Sequence, residues 1–225
     1  MPAVAPVALM DLDGTLTDHA AALAQWSAEF AAKHGIPVSR IRGIAEQYAY
    51  RHDVLRALRD ELRLSTSVLD LLQEYRMRSA ELVPVRPKVC AALRQLADAG
   101  WRLGVVTNGA PGPQRLKLEV AELSDCFDVI VISGACGLRK PHRAIFELAL
   151  DALDADASMA VMVGDDLRTD IKGGTAAGMN TIWVSGQRTR TAQDPAPTHT
   201  TTTTVDAIEA LRCGRVAPKA LTTPA

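Results

Sequence analysis

The chain has 225 residues, 48% of them apolar and 23% charged, with a formal net charge of −1. This is the composition of a soluble globular protein with room for a sizeable core. Near-neutrality, and only three residues each of Phe, Trp and Tyr, leave no electrostatic footprint for nucleic acid or an anionic membrane. Cys90, Cys126, Cys136 and Cys213 form neither a C-x-x-C pair nor a zinc spacing with the histidines and read as reduced thiols.

The first element is VALM, Val7–Met10. Four apolar residues without alternation predict a strand buried on both faces. It runs into Asp11-Leu12-Asp13-Gly14-Thr15, two carboxylates one residue apart that repel unless a cation, a proton or an electrophile lies between them. From His19 to about Arg86 the pattern is helical, over Ala20–Lys33, Val38–Arg51, Val54–Arg63 and Thr66–Glu81. A crossover of about 65 residues far exceeds what a βαβ connection requires, so residues 19–84 are expected to form an inserted helical subdomain. Within it Trp26 and Phe30, at i and i+4, read as core. Asp18 reads as the N-cap of the first inserted helix.

Thereafter strands and helices alternate. Apolar runs at Leu103–Val106, Val129–Ile132, Ala160–Val163 and Thr181–Val184 are separated by helical patterns over Lys88–Gly100, Pro113–Leu123, His142–Leu153 and Asp170–Gly178. The expected core, residues 1–18 and 85–213, is a doubly wound, Rossmann-like α/β domain on a parallel sheet. Gly173, Gly174 and Gly178 lack a following G-K-[ST] and read as close helix–sheet packing. GQRTRTAQDPAPTHTTTTT, after Ser185, reads as a surface loop with an extended edge near Thr200–Thr204. Val205–Cys213 reads as a closing helix capped by Asp206, and residues 214–225 as a disordered tail.

Open parallel sheets bind ligands beyond the carboxyl ends of their strands. There this chain places Asp11 and Asp13, then Thr107-Asn108, then Lys140-Pro141, then Gly164-Asp165-Asp166 with Asp170 one turn on. Clustered carboxylates are hard, all-oxygen ligands suited to Mg²⁺. A hydroxyl, an ammonium and glycine-rich turns suit a phosphoryl group. A carboxylate in such a setting can itself be the nucleophile. Asp166 reads equally as metal support or as a helix N-terminal acid.

The set Asp11-x-Asp13-Gly14-Thr15-Leu16, Thr107-Asn108, Lys140-Pro141 and Gly164-Asp165-(x)4-Asp170 resembles the haloacid dehalogenase superfamily over roughly residues 5–185, and the helical insert resembles its C1-type cap. RKPHRAIF and VGDDLRTDIKGGTAAGM are similar to its phosphatase-rich subfamily I. The resemblance implies that Asp11 takes the phosphoryl group and that Asp13 protonates the leaving oxygen and then activates water. It implies that Thr107 and Lys140 hold the phosphoryl oxygens, with Asn108 assisting through its backbone or amide, and that Asp11, the Asp13 carbonyl and Asp165 bind Mg²⁺, with Asp170 and Asp166 in support. Dehalogenases of the superfamily lack an acid at the position of Asp13, so its presence favours phosphate ester hydrolysis. Two departures from the pattern are His142, where an acid is common, and Thr17, where an apolar residue is common.

The expectation is therefore a cytoplasmic Mg²⁺-dependent phosphatase of a small phosphorylated metabolite, of the sugar phosphate, nucleotide or phosphoglycolate type. It would work through an aspartyl-phosphate, as monomer or homodimer, without nucleic acid or membrane partners. The alternatives are a phosphomutase, or a non-catalytic or phosphorylation-regulated binding domain.

Overall fold

The computed structural model describes residues 5–222. The chain divides into two compact units, one reaching to Thr17 and resuming at Val85, the other spanning Asp18–Pro84.

In the first unit the opening strand β1 is Val7–Met10, every residue buried. The second unit holds four helices, α1 (His19–His34), α2 (Val38–Ala45), α3 (Arg51–Glu61) and α4 (Val68–Glu81). Asp18 caps α1, its carboxylate accepting from the Ala21 N–H at 2.9 Å, and Gly35 closes it in the left-handed conformation. The expected second helix is shorter than its pattern, ending at Ala45, and α3 begins at Arg51. This unit has its own core. Trp26 stacks on Phe30 and meets Tyr75 edge-on, both at 4.9 Å between ring centres, and Leu55 and Leu58 of α3 are fully buried. The i, i+4 aromatics are thus packing residues, as their spacing indicated.

Back in the first unit, the chain continues through α5 (Pro87–Asp98), β2 (Arg102–Thr107), α6 (Pro111–Val120), β3 (Val129–Ile132), a short α7 (Ser133–Cys136) and α8 (Arg143–Ala152). Then follow β4 (Ala160–Gly164), a π-helical turn over Leu167–Ile171, α9 (Lys172–Ala176), β5 (Asn180–Val184), β6 (His199–Thr201), α10 (Thr204–Arg212) and α11 (Lys219–Thr222). The described strands form one sheet in the order β3-β2-β1-β4-β5-β6, with every adjacent pair parallel. This is the α/β doubly wound fold expected. β1 lies centrally between β2 and β4, with Met10 level with both Val105 and Val163. Asp11 therefore emerges between the ends of two neighbouring strands, and its N–H still bonds Val163 O at 2.9 Å.

One face of the core gathers Val7, Leu9, Ile145, Phe146, Ala149, Ala160 and Met162, all fully buried. Each large side chain removed from water there contributes on the order of 2 kcal/mol. Among the described residues, no helix is long and apolar enough to cross a membrane.

Two expectations at the C-terminal end need correction. The closing helix is capped by Thr203, with Asp206 at the third helical position answering it in a capping box. Residues 214–222 are not a disordered tail. Val216 is buried, its N–H bonds Ala210 O at 3.1 Å, and Asn180 of β5 donates to Ala217 O at 2.8 Å. An apolar side chain and a strand amide tie this segment down. The last three positions of the expected tail, 223–225, lie outside the described residues. The extended edge expected near Thr200 forms as β6.

The paired glycines of α9 are packing glycines. A Cβ on Gly173 would fall 2.6 Å from the Phe146 ring, and one on Gly174 would fall 2.8 Å from Met162 Cβ and 3.0 Å from Thr181 Cγ2. Met162 Cβ is anchored to β4 and cannot swing away. Gly174→Ala should therefore destabilise the protein by about 1–2 kcal/mol, overpacking outweighing the gain in helix propensity. Urea unfolding should show a lower midpoint at an unchanged slope.

Candidate active site

The site grows from the end of β1. Asp11 is buried, and its Oδ1 lies 2.5 Å from Lys140 Nζ; the same ammonium lies 2.7 Å from Asp170 Oδ1. Lys140 and Asp170 are also buried. A buried ammonium is tolerated only with anionic partners, and here two carboxylates face it. Burial works against the charged lysine, but Asp11 and Asp170 overcome it and hold the ammonium more firmly protonated than usual. For Asp11, burial is the largest influence; it raises the carboxyl well above its ordinary value, against the pull of Lys140.

Asp13 faces elsewhere. Lys117 Nζ contacts both of its oxygens, at 2.7 and 2.8 Å, and Gln114 Nε2 donates to Oδ2 at 3.0 Å. The same Gln114 amide nitrogen donates to Thr107 Oγ1 at 2.7 Å, and Lys117 donates to Gln114 Oε1 at 2.8 Å. The loop carrying Asp13 is tightly held: Gly14 N–H bonds Thr17 O, and the Thr17 N–H and hydroxyl both reach Leu12 O at 2.9 and 3.0 Å. The polar residue at position 17 thus closes the turn. Arg86 and Thr204 both donate to Thr15 O, at 2.8 and 2.5 Å.

Asp165 stands at the end of β4. Gly14, with φ +84°, leaves room for it, since a Cβ there would fall 2.6 Å from Asp165 Oδ2. Thr15 Oγ1 approaches Asp165 Oδ1 at 3.4 Å, and the half-exposed Arg188 guanidinium lies 3.2 Å from Oδ2. Trp183 Nε1 donates to the Asp165 carbonyl at 2.9 Å. Burial, reinforced by the Asp170 charge and opposed by Arg188, pushes the Asp165 carboxyl up to about 6.

The remaining residues are structural supports. Asn108 spends its amide on the Lys140 main chain, donating to Lys140 O at 3.0 Å and accepting from Lys140 N at 2.9 Å. Its side chain thus fixes the lysine rather than reaching for an anion. Of the two readings of Asp166, the helix-terminal one matches the geometry: Oδ1 accepts from the N–H groups of Arg168 and Thr169 at 2.7 and 2.9 Å. Its own N–H holds Asp170 Oδ2 at 3.0 Å. His142 caps α8 through Nδ1, which is what the commoner acid could do there.

Asp11, Asp165 and Asp170 each offer an oxygen within 4.8 Å of the others. Three crowded, largely buried acids faced by one buried ammonium leave a deficit of positive charge, and an all-oxygen donor set suits a hard divalent cation. Asp170 already serves Lys140 and the Asp166 N–H, so Asp11 and Asp165 have the freer oxygens. Asp13 is not one of the three, and its carboxylate shares the Gln114 amide nitrogen with the Thr107 hydroxyl. The site therefore brings together carboxyls in two different surroundings and an ammonium beside both Asp11 and Asp170, groups of the kinds that nucleophilic and acid–base chemistry use. Sequence reasoning missed Gln114, Lys117 and Arg188. A faint signal for the first two was the i, i+3 spacing of polar residues in a helix that follows directly on Thr107-Asn108-Gly109.

Comparison with known proteins is consistent with this picture. Residues 6–178 match the family described as haloacid dehalogenase-like hydrolase. The chain is 36% identical over 193 residues to glyceraldehyde 3-phosphate phosphatase of Pyrococcus abyssi, covering 79% of this chain and 80% of that one. Among solved structures, a 2-haloacid dehalogenase of Pseudomonas syringae pv. Tomato DC3000 is 28% identical with a TM-score of 0.62, over 94% of this chain and 99% of that one. The hydrolase YfnB of Bacillus subtilis, 23% identical, shares the fold with a TM-score of 0.75 over 92% of this chain and 98% of that one.

The raised Asp165 carboxyl makes stability depend on pH in the metal-free protein. Between its ordinary value of 3.8 and about 6, the folded state holds a proton that the unfolded state has lost. Stability from this group is therefore complete below about pH 4 and lost as pH rises through 6, a change of roughly 2–3 kcal/mol. In EDTA, the stability of wild type relative to Asp165→Asn should fall by that amount from pH 4 to pH 7.5, as measured by denaturant unfolding.

Proposed function

Because the chain belongs to the haloacid dehalogenase-like hydrolases, we propose that it is a Mg²⁺-dependent phosphatase that hydrolyses a small phosphorylated metabolite through an aspartyl-phosphate on Asp11. The observation that carries this reading is the second carboxyl, Asp13, which is held by Lys117 and by the Gln114 amide that also bonds Thr107, and is not one of the three clustered acids. A halide leaves without a proton, whereas an ester oxygen needs one. An acid at that place therefore favours phosphoryl over carbon–halogen chemistry, in line with the name of the Pyrococcus relative.

Asp11, Asp165 and the main-chain carbonyl of Asp13 would hold the Mg²⁺, which supplies positive charge against the phosphoryl oxygens. The donor chemistry of the acidic cluster fits that ion. Asp11 attacks phosphorus, and the carboxyl proton of Asp13 passes to the ester oxygen as the P–O bond breaks. The Lys140 ammonium and the Thr107 hydroxyl hold the phosphoryl oxygens. Asp13, now a carboxylate, takes a proton from water as that water attacks the phosphorus of the aspartyl-phosphate. Phosphate leaves, Asp11 is regenerated, and the proton is back on Asp13. Asp170 keeps Lys140 in place through the 2.7 Å ion pair. The helical unit 18–84 would serve as the cap that selects the leaving group, and a three-carbon phosphate, as named for the relative, is the first substrate to try.

A panel of phosphorylated metabolites assayed with Mg²⁺ tests the reading. At least one small ester should release phosphate with kcat/KM far above that of nitrophenyl phosphate, and EDTA should abolish the release. Asp11→Asn should lower kcat by at least about 10³-fold, as expected when a nucleophile is removed. Phosphate release surviving in Asp11→Asn would refute the assignment.

A further inference from the structure

The Asp13 carboxyl is held by residues that the roles assigned above leave unused. Lys117 is only 6% exposed and Gln114 only 2%. They sit three residues apart in α6 and so share one face of that helix. Burying a lysine ammonium is costly unless it is paired, and this one is directed at both oxygens of Asp13, at 2.7 and 2.8 Å across 104 residues of sequence. Gln114 completes the arrangement: its amide oxygen accepts from Lys117, and its amide nitrogen donates to Asp13 Oδ2 and to Thr107 Oγ1. The chain makes space for it, since a Cβ on Gly109 would fall 2.8 Å from Cγ and Cδ of Gln114.

We infer that Lys117 and Gln114 are positioning residues for the proton transfer assigned to Asp13, fixing the orientation of its carboxyl through both oxygens. The inference rests on the phosphatase reading and deepens it. In the first half-reaction the Asp13 proton moves to the ester oxygen while the P–O bond breaks and the Asp11–phosphorus bond forms. The Lys117 ammonium and the Gln114 amide hold the carboxyl that makes this transfer in one orientation. Water returns the proton to Asp13 in the second half-reaction. The contribution of Lys117 should be large for an alkoxide leaving group, which must be protonated, and small for nitrophenolate, which leaves without help.

The test compares kcat/KM for glyceraldehyde 3-phosphate and nitrophenyl phosphate, both with Mg²⁺. This parameter reports steps up to departure of the leaving group and excludes the later attack of water. Lys117→Met should lower it for the alkyl ester at least tenfold more than for the nitrophenyl ester, a fraction of the roughly 10²–10⁴-fold that a general acid supplies. Lys117→Arg, which restores the charge, should recover most of that difference. A partly unfolded preparation loses both esters in proportion, so the ratio is insensitive to folding. If Lys117→Met does not fold, Gln114→Met carries the same comparison, with an expected ratio change of about threefold or more. An equal loss on both esters, or an unchanged ratio, would mean that the pair is only structural and overturn the inference. Asp13→Asn separates the two levels. If it shows the leaving-group dependence while Lys117→Met does not, the inference fails and the phosphatase reading stands. If wild type releases phosphate from no ester of the panel, both fail; where another alkyl ester of the panel is the substrate, it replaces glyceraldehyde 3-phosphate in the comparison.

Discussion

The site depends on one buried ammonium. Lys140 is held between Asp11 and Asp170, and each of the three side chains would be untenable in the interior alone. The surrounding fold is arranged to bring them together. The strand order places β1 between β2 and β4, so that Asp11 ends beside the segment carrying Asp165 and Asp170. Gly164 has no side chain, and a Cβ there would collide with the Asp170 carboxylate. Asn108, from the end of β2, grips the Lys140 main chain on both its N–H and its carbonyl. Three strand ends and one long loop thus converge on a single charge.

The two acids of Asp11-Leu12-Asp13 would repel one another if both faced the same space. The chain gives them different partners, while the Asp13 charge still helps to raise the Asp11 carboxyl. Leu12 is fully buried between them, and each acid meets its own buried lysine: Lys140, between α7 and α8, for Asp11, and Lys117, within α6, for Asp13. This division suits two distinct tasks, nucleophile on one side and proton carrier on the other. Among the described residues the cation beside Asp165 is a half-exposed arginine, so the acidic cluster remains short of positive charge where a divalent cation is expected.

Much of this was legible in the sequence for physical reasons. Strands buried on both faces write continuous apolar runs, and β1 and β3 coincide with the runs Val7–Met10 and Val129–Ile132. Carboxylates at strand ends announce themselves because nothing structural requires them there. The supporting polar residues are harder to see. Gln114 and Lys117 look like ordinary surface positions of a helix, and their burial depends on Asp13, which lies 101 and 104 residues away along the chain. Arg188 sits in a stretch whose Thr, Pro and Gln content reads only as loop. The C-terminal segment misled for a similar reason: Val216 and the Ala217 carbonyl are ordered by partners at Ala210 and Asn180, contacts that local composition does not encode. His142 and Thr17, which depart from the family pattern, proved to be a helix cap and a turn closure.

The account stands or falls on covalent chemistry at Asp11. Borohydride reduces an acyl phosphate to the alcohol, so quenching the enzyme with it during turnover of a phosphate ester with Mg²⁺ should convert Asp11, and no other aspartate, to homoserine, as read by peptide mass spectrometry. The conversion should require both ester and Mg²⁺. Continued phosphate release with Asp11 unmodified, or with the modification at Asp13 or Asp165, would contradict the account.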